Sequence, residues 1–463
     1  MLVVPAMVVL IAFIFIKPQE FVPALRTVPW LYVLMGLTVF MLVVDLRLRQ
    51  IKLVASPQLK WVAIFIGWSL LTVLFNNPEN TITVVISIAI TFVPYLVIGH
   101  GIQRFRQLHV IAATYLVLSM LLAVVGVHQQ FQPLECVAFQ GANHDVRPAD
   151  PTGALADGKA CVTVEDCMIN NPEPGVEYTC ERRGLFNTST IATRVRFRGQ
   201  LQDPNELALT VASGLPFAIG LFLVRRTPFR LAVLLAAIVL GSMAVKFTQS
   251  RGGLLILGCV VMTYLVQRYG KKALVVGAVL MLPAMMVLKG QERADAAESK
   301  QERLDLQAYG MELWRAHPLG VGYGQYTNYI DMTTHNSYIL VLAEVGVPGA
   351  TLWAIIMYLS FKVPAMALIR YRRREEARVA AVWATAIISS MAGLCVGIFF
   401  LSFYSHFIPW IMVGFNGAMS HAIREHDPTF EVKLTRMEGG VALGGVLVFG
   451  AAASIVLRKL TGT

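Results

Sequence analysis

Apolar runs long enough to cross a bilayer recur from one end of this 463-residue chain to the other. About 20 apolar residues in a helix span the hydrocarbon core, and a helix satisfies its own backbone hydrogen bonds where no water can. The composition agrees, with 56% hydrophobic and only 14% charged residues, against roughly a quarter charged in soluble domains. The expected fold is all-α, a polytopic membrane bundle of about 12–13 transmembrane helices with two long periplasmic loops. Hydropathy places the spans near 2–16, 28–44, 59–75, 82–98, 109–127, 206–224, 231–247, 253–266, 273–288, 337–361, 379–401, 405–423 and 440–457. The first run lacks a basic n-region and a small-residue cleavage site, so it reads as a span and not a removable signal. The net charge of +11 does not argue for nucleic acid, because Lys and Arg gather in cytoplasmic loops of membrane proteins.

The loops alternate in character. Arg47, Arg49 and Lys52, then Arg104 and Arg106, then Arg225, Arg226 and Arg230, then Arg268, Lys271 and Lys272, then Arg370 and Arg372–Arg374 mark short basic loops. Between them lie the uncharged-to-mixed stretches at 76–80, 128–205, 250–251 and 289–336. The N-terminus then lies inside. The last run breaks the alternation by leaving Arg458 and Lys459 outside, so either it is not a span or a weak late signal is overruled. The chain divides into a transmembrane scaffold (1–127), a Cys-bearing periplasmic loop (128–205), a transmembrane core (206–423, with the loop 289–336) and a C-terminal tail with a possible extra span (424–463).

The loop 128–205 carries Cys136, Cys161, Cys167 and Cys180. Two disulfides in an oxidising compartment, with three possible pairings, are the natural reading. Zinc, with His144 available, is the rival, although the tight C-x-x-C spacing of zinc sites is missing. Cys259 and Cys395 fall within spans and read as small packing residues. The run 153–159 imitates a phosphate-binding loop, but Ala160 stands where Ser or Thr would hold magnesium, and no strand precedes it. There is no Asp-x-Asp pair and no H-E-x-x-H. Neither a metal nor another cofactor is expected.

Four residues stand out at the non-basic face. Arg251, between two apolar runs, is costly at such depth unless functional or snorkelling to the interface. Arg198 precedes the span at 206, where it could equally pair with Asp203. Arg303 opens an amphipathic stretch with Leu304, Tyr309, Leu313 and Trp314, suited to a membrane surface. His335 stands at the mouth of a span, followed by Asn336. Tyr323, Tyr326 and Tyr329 could stack on sugars or be interfacial aromatics.

Together these segments resemble the O-antigen ligase and polymerase family. The resemblance rests on Arg198-Gly199 with Asp203-Pro204-Asn205-Glu206, Ser250-Arg251-Gly252, Arg303 with Trp314 and His317-Pro318-Leu319-Gly320-Val321-Gly322, and His335-Asn336 with Ala343-Glu344-Val345-Gly346. It covers roughly 198–404, and its specific part is HPLGVGYGQY followed by HNSY. It implies a glycan transferase of the bacterial inner membrane, taking an undecaprenyl-diphosphate-linked oligosaccharide to a glycan or lipid A core acceptor at the periplasmic face. His335, Arg251 and Arg303 fall on its functional positions, with Arg198, Asn205, Asn336 and Tyr323 as substrate-binding candidates. The implied chemistry inverts the anomeric centre and needs neither ATP nor metal, since the diphosphate is already an activated leaving group. A lipid-linked glycan flippase or transporter, or a non-catalytic scaffold, are the alternative classes; no internal repeat of the transporter kind is evident. Ligase and polymerase differ only in acceptor, and the sequence does not separate them.

Overall fold

The computed structural model describes residues 1–139, 155–169, 177–191, 193–197, 203–270, 272–273, 275, 277, 296–374 and 377–461. Among these are fourteen α-helices: α1 (Val3–Ile16), α2 (Trp30–Arg47), α3 (Leu59–Asn76), α4 (Thr81–Gly101), α5 (Phe105–Gln130), α6 (Val164–Ile169), α7 (Pro204–Val224), α8 (Pro228–Phe247), α9 (Arg251–Tyr269), α10 (Ala296–Ala316), α11 (Ser337–Tyr371), α12 (Arg378–Gly397), α13 (Phe407–His426) and α14 (Arg436–Thr461). Among the described residues, ten segments are long and apolar enough to cross a membrane. The chain is an all-α polytopic bundle, as its hydropathy predicts.

The difference from about thirteen expected spans has local causes. α1 is apolar but only 14 residues long. α13 has the length, but Asn416, Ser420, His421 and the charges of its last turn dilute its hydropathy. The expected span at 273–288 falls mostly outside the described residues. α14 has the length and hydropathy of a span, although little of it is buried within the chain.

Local sequence sets the helix starts. Asp203 and Thr227 cap α7 and α8, each followed by Pro at the first helical position, where the missing N–H costs nothing. Ser250 caps α9 and Asn336 caps α11. At the other end of the bundle Asp45, on α2 and 1% exposed, accepts the N–H groups of Leu2 and Val3 at 3.0 and 2.9 Å. That ties the chain's first residues to the basic end of α2.

α7 and α13 form the centre, with nearly every residue of α13 buried. α13 crosses α4, and α12 packs on both α7 and α9. The α4–α13 crossing is close because small residues meet there: a Cβ on Gly417 would lie 3.1 Å from the Gly99 Cα. Close backbone approach is how helices associate in lipid, where apolar burial alone gives no preference.

Sequence periodicity did not predict a small sheet between α5 and α7. β1 (Leu134–Phe139) pairs antiparallel with both β2 (Leu155–Ala160) and β3 (Glu177–Arg182), in the order β2-β1-β3. Its strands are short, and its buried core consists of Cys136, Cys161, Cys167, Cys180 and Tyr178. Of the three pairings open from sequence, the chain forms Cys136–Cys167 and Cys161–Cys180. All four sulfurs are thereby committed, leaving no thiolate among them for zinc; His144 lies outside the described residues. So small a core needs such staples.

The segment after the sheet runs back into the bundle. Gln129, at the end of α5, donates to the Thr188 hydroxyl and the Arg196 carbonyl at 2.7 and 2.8 Å. Arg196 is buried against Glu181 at 3.7 Å, and the Val195 N–H donates to Phe247 O at the end of α8. The sheet therefore sits over the end of the bundle at which α5 and α8 finish and α7 and α9 begin.

Candidate active site

Three helix starts meet at that end. Asn205, in the first turn of α7, accepts a very short hydrogen bond from the Ser250 hydroxyl. The same Ser250 oxygen accepts the Gly253 N–H at 2.7 Å and caps α9. The start of α11 is fixed to the connection between α12 and α13: the Ser337 N–H donates to Ile398 O at 2.9 Å, and its hydroxyl to Leu401 O at 2.6 Å. Phe400, in the same connection, lies against Gly252. Arg251 therefore stands, exposed, beside a turn that also anchors the residues following His335. The first N–H groups of three helices point toward this end and favour a negatively charged ligand.

His335 holds a left-handed backbone conformation, φ 49°, uncommon outside glycine and worth about 1–3 kcal/mol of strain. Its neighbours hold it there. The Thr334 hydroxyl donates to Asn336 O at 2.8 Å and accepts the Asn336 N–H at 3.2 Å, while the Asn336 side chain caps α11 through Tyr338 and Ile339. The imidazole is half-buried. Burial, and then the positive charge of Arg303, lower its pKa below the ordinary histidine value, with Asp203 and Glu302 acting the other way. Arg303, Asp203 and Glu302 thus all lie within electrostatic reach of the ring. An imidazole held neutral at neutral pH can accept a proton.

Arg303 reaches the histidine because of helical spacing. Arg303, Leu306 and Gly310 lie on one face of α10. Gly310 packs on Thr334 and Ile339, on either side of the histidine in sequence. Tyr326 Oη, donating to Leu306 O at 2.8 Å, fixes the same face from the loop side.

The loop 317–326 is knotted into a break in α11. At Gly346, φ is +62° and the helix opens. The freed carbonyls of Ala343 and Glu344 accept the N–H groups of Val321 and Gly322 at 3.1 and 2.9 Å, and Val347 N–H donates to Pro318 O. Gly320, at φ +95°, passes so close that a Cβ would lie 2.4 Å from Glu344 O. The Glu344 carboxylate is buried inside the loop, accepting the N–H groups of Gly324 and Tyr326 at 2.8 and 3.1 Å and the Tyr404 hydroxyl. The glycines of HPLGVGYG are thus accounted for by this knot.

A second clamp comes from the α3–α4 connection, which the sequence marked only as an uncharged outer loop. Asn76 and Asn77 donate to Gly320 O and Val321 O at 3.2 and 3.0 Å, and Asn80 donates to the Gln325 amide oxygen at 2.7 Å. Sequence reasoning missed the roles of Asp203, Tyr404 and these asparagines, and it offered Glu344, like Asn336, as an orienter of the imidazole, whereas the Glu344 carboxylate is taken up by the loop. The signal available was a cluster of polar side chains at the same face as His335.

The other predicted residues fall as follows. Asn205 is buried; among the described residues its Nδ2 finds no partner and can donate to a ligand. The Asn336 side chain is occupied in capping. Tyr323 is 1% exposed and packs edge-on against Tyr404 at 5.5 Å, so it supports the loop from within. Tyr329 is exposed, near His317. Arg198 lies outside the described residues.

No curated protein matches the chain. A family model described as O-antigen ligase matches residues 208–354. The match begins in the first turns of α7 and ends beyond the break in α11, so it takes in Arg251, Arg303, His335 and the loop knotted at Gly346. The chain is an all-α bundle of membrane-length helices, a multi-pass membrane protein, and its segment 208–354 is similar to the O-antigen ligase family.

Proposed function

We propose that the protein transfers an oligosaccharide from an undecaprenyl-diphosphate carrier to an acceptor hydroxyl, a glycan or the lipid A core, at the periplasmic face of the bacterial inner membrane. The observation that carries this reading is His335, held in a strained backbone conformation within electrostatic reach of Arg303 and Asp203, at the end where Arg251 and three helix N-termini stand. Arg251 and Arg303 hold the two phosphates in fork geometry and stabilise the charge that grows as the sugar–phosphate bond breaks. The neutral His335 takes the proton of the acceptor hydroxyl. The acceptor oxygen forms the new bond to the anomeric carbon, and the carrier diphosphate leaves with the electron pair of the old one. Attack from the side opposite the leaving group inverts the centre. Asp203 stabilises the imidazolium, and the Asn205 amide donates to donor or acceptor.

The two disulfides support the periplasmic orientation, because disulfides persist in oxidising compartments and the module holding them covers the same end of the bundle as His335. Residues 206–423 form the catalytic unit, with 1–127 as scaffold.

The test is transfer by purified protein from a lipid-linked donor to an acceptor. His335→Ala and Arg251→Ala should lose glycan transfer while reaching the membrane at normal levels; near-normal transfer by either variant removes that residue from the mechanism. The glycan pattern after gene deletion separates the two family activities. Single capped repeats mark a lost polymerase, and accumulated unattached long chains mark a lost ligase.

A further inference from the structure

Gln249, two residues before Arg251, is left-handed at φ 49°, as His335 is. A non-glycine residue keeps such a conformation only where its surroundings over-determine it. The turn 247–250 is held from two sides. On one, Ser250 bonds to Asn205 in the first turn of α7. On the other runs the segment 193–197, which leaves the disulfide module. Its residues pair with the turn in antiparallel order. The Val195 N–H donates to Phe247 O at 3.2 Å, Arg194 Nε donates to Thr248 O at 3.0 Å, and the Gln249 side-chain amide donates to the Thr193 hydroxyl at 3.2 Å.

The segment is fixed in turn by Arg196, which is 8% exposed. The Gln129 side chain grips its backbone, accepting the N–H at 3.1 Å and donating to the carbonyl. The guanidinium donates from Nε to Ser189 O at 3.2 Å and from Nη2 to Thr190 O at 3.3 Å, with Glu181 of β3 at 3.7 Å. Thr190 is itself tied to β3: its hydroxyl accepts the Arg182 N–H at 2.9 Å, and its N–H donates to Arg182 O at 3.1 Å. Glu181 follows Cys180, which is stapled to Cys161. A buried ion pair adds little net stability over an apolar pair of the same size. A guanidinium fork does hold several acceptors in one fixed geometry, which an ammonium cannot.

We infer that Arg194 and Arg196 are positioning residues for transfer: Arg196 locks the segment 193–197 to the disulfide module, and Arg194 locks to that segment the turn that presents Arg251. The inference rests on the reading of Arg251 under Proposed function and adds to it a role for the module. The module is the outer half of a bracket whose inner half is Asn205. The state of the Cys161–Cys180 bridge reaches Arg251 through Glu181, Arg196 and the paired segment. Neither arginine touches the diphosphate in this role.

The experiment uses the full chain in phosphatidylcholine vesicles with labelled farnesyl diphosphate as the probe, so that binding is read apart from transfer. Arg194→Gln and Arg196→Met should each weaken binding by about tenfold, within the span of couplings across one hydrogen-bond network. In an Arg251→Ala background neither should weaken it further, since both act through that side chain. Reduction of the otherwise unaltered protein, with the four module sulfurs shown free by alkylation, should follow the same pattern. It and Arg194→Gln test the bracket without removing the buried charge. Losses of the same size in the Arg251→Ala background, or unchanged binding in Arg194→Gln and after reduction, would overturn the inference. Failure of the underlying reading shows separately, as unchanged probe binding in Arg251→Ala and Arg303→Ala. Amide exchange across 247–252 decides the bracket in that case: it should rise in Arg194→Gln and on reduction, and unchanged exchange in both would overturn the inference.

Discussion

Burial lowers the His335 pKa, and the positive charge of Arg303 within electrostatic reach adds to the effect. The pH dependence follows with a definite sign. A base works only when deprotonated, so the acid limb of the transfer rate should fall below the ordinary histidine pKa of about 6.5. Arg303→Gln removes a charge that lowers this pKa, so the limb should move to higher pH, apart from any loss of rate; Asp203→Asn should move it lower. A pH–rate profile of each variant checks both directions, and an unmoved limb in both would mean the titrating group is elsewhere. The candidate residues themselves were legible in sequence, because a charge or a histidine between long apolar runs has few bland explanations. Their partners were not. Asp203 is more than a hundred positions from His335 and comes within its electrostatic reach only through packing, and Tyr323, which could be a sugar platform or an interfacial aromatic by sequence, is buried inside the loop.

At the scale of the element, the most informative feature is the break in α11. A helix opened at Gly346 leaves carbonyls without partners, and the loop 318–322 supplies them. Gly320→Ala adds a Cβ both where φ is positive and where a carbonyl oxygen lies 2.4 Å away. It should free the loop from the helix, seen as faster proteolysis and amide exchange across 317–330 with the bundle intact. Glu344→Ala strands the buried Tyr326 N–H and Tyr404 hydroxyl, at about 1–3 kcal/mol for each group left unmade, and removes the acceptor of the Gly324 N–H. The resulting drop in melting temperature should be matched by loss of transfer. The sequence marked this stretch, HPLGVGYGQY, as the specific part of the family resemblance. That the glycines serve a knot with Glu344 depends on a contact between residues some twenty positions apart, which no local pattern encodes.

For the whole molecule, the sheet module and the bundle should respond differently to reduction. The disulfides close 31- and 19-residue separations, each worth about 3–4 kcal/mol by chain entropy. Reduction should therefore unfold the module, detected as loss of exchange protection over 134–182, while the helices, held by lipid and packing, keep their circular dichroism. Loss of the bundle signal as well would mean the module is needed for the fold. Periodicity, hydropathy and capping residues determined by themselves that the chain is a helical membrane bundle, where most helices begin, and which face carries the unusual charges; these depend on the solvent and on neighbours within a few residues. The pairing of the cysteines, the sheet they staple, the antiparallel seating of α14 on α11 (Glu438 at Tyr358, Leu457 at Ile339) despite Arg458 and Lys459, and the approach of Arg303 and Asp203 to within electrostatic reach of His335 were decided only in three dimensions. Each depends on contacts between segments far apart in the chain, where closing the intervening loop is set by the packing of the whole and not by the residues that happen to touch.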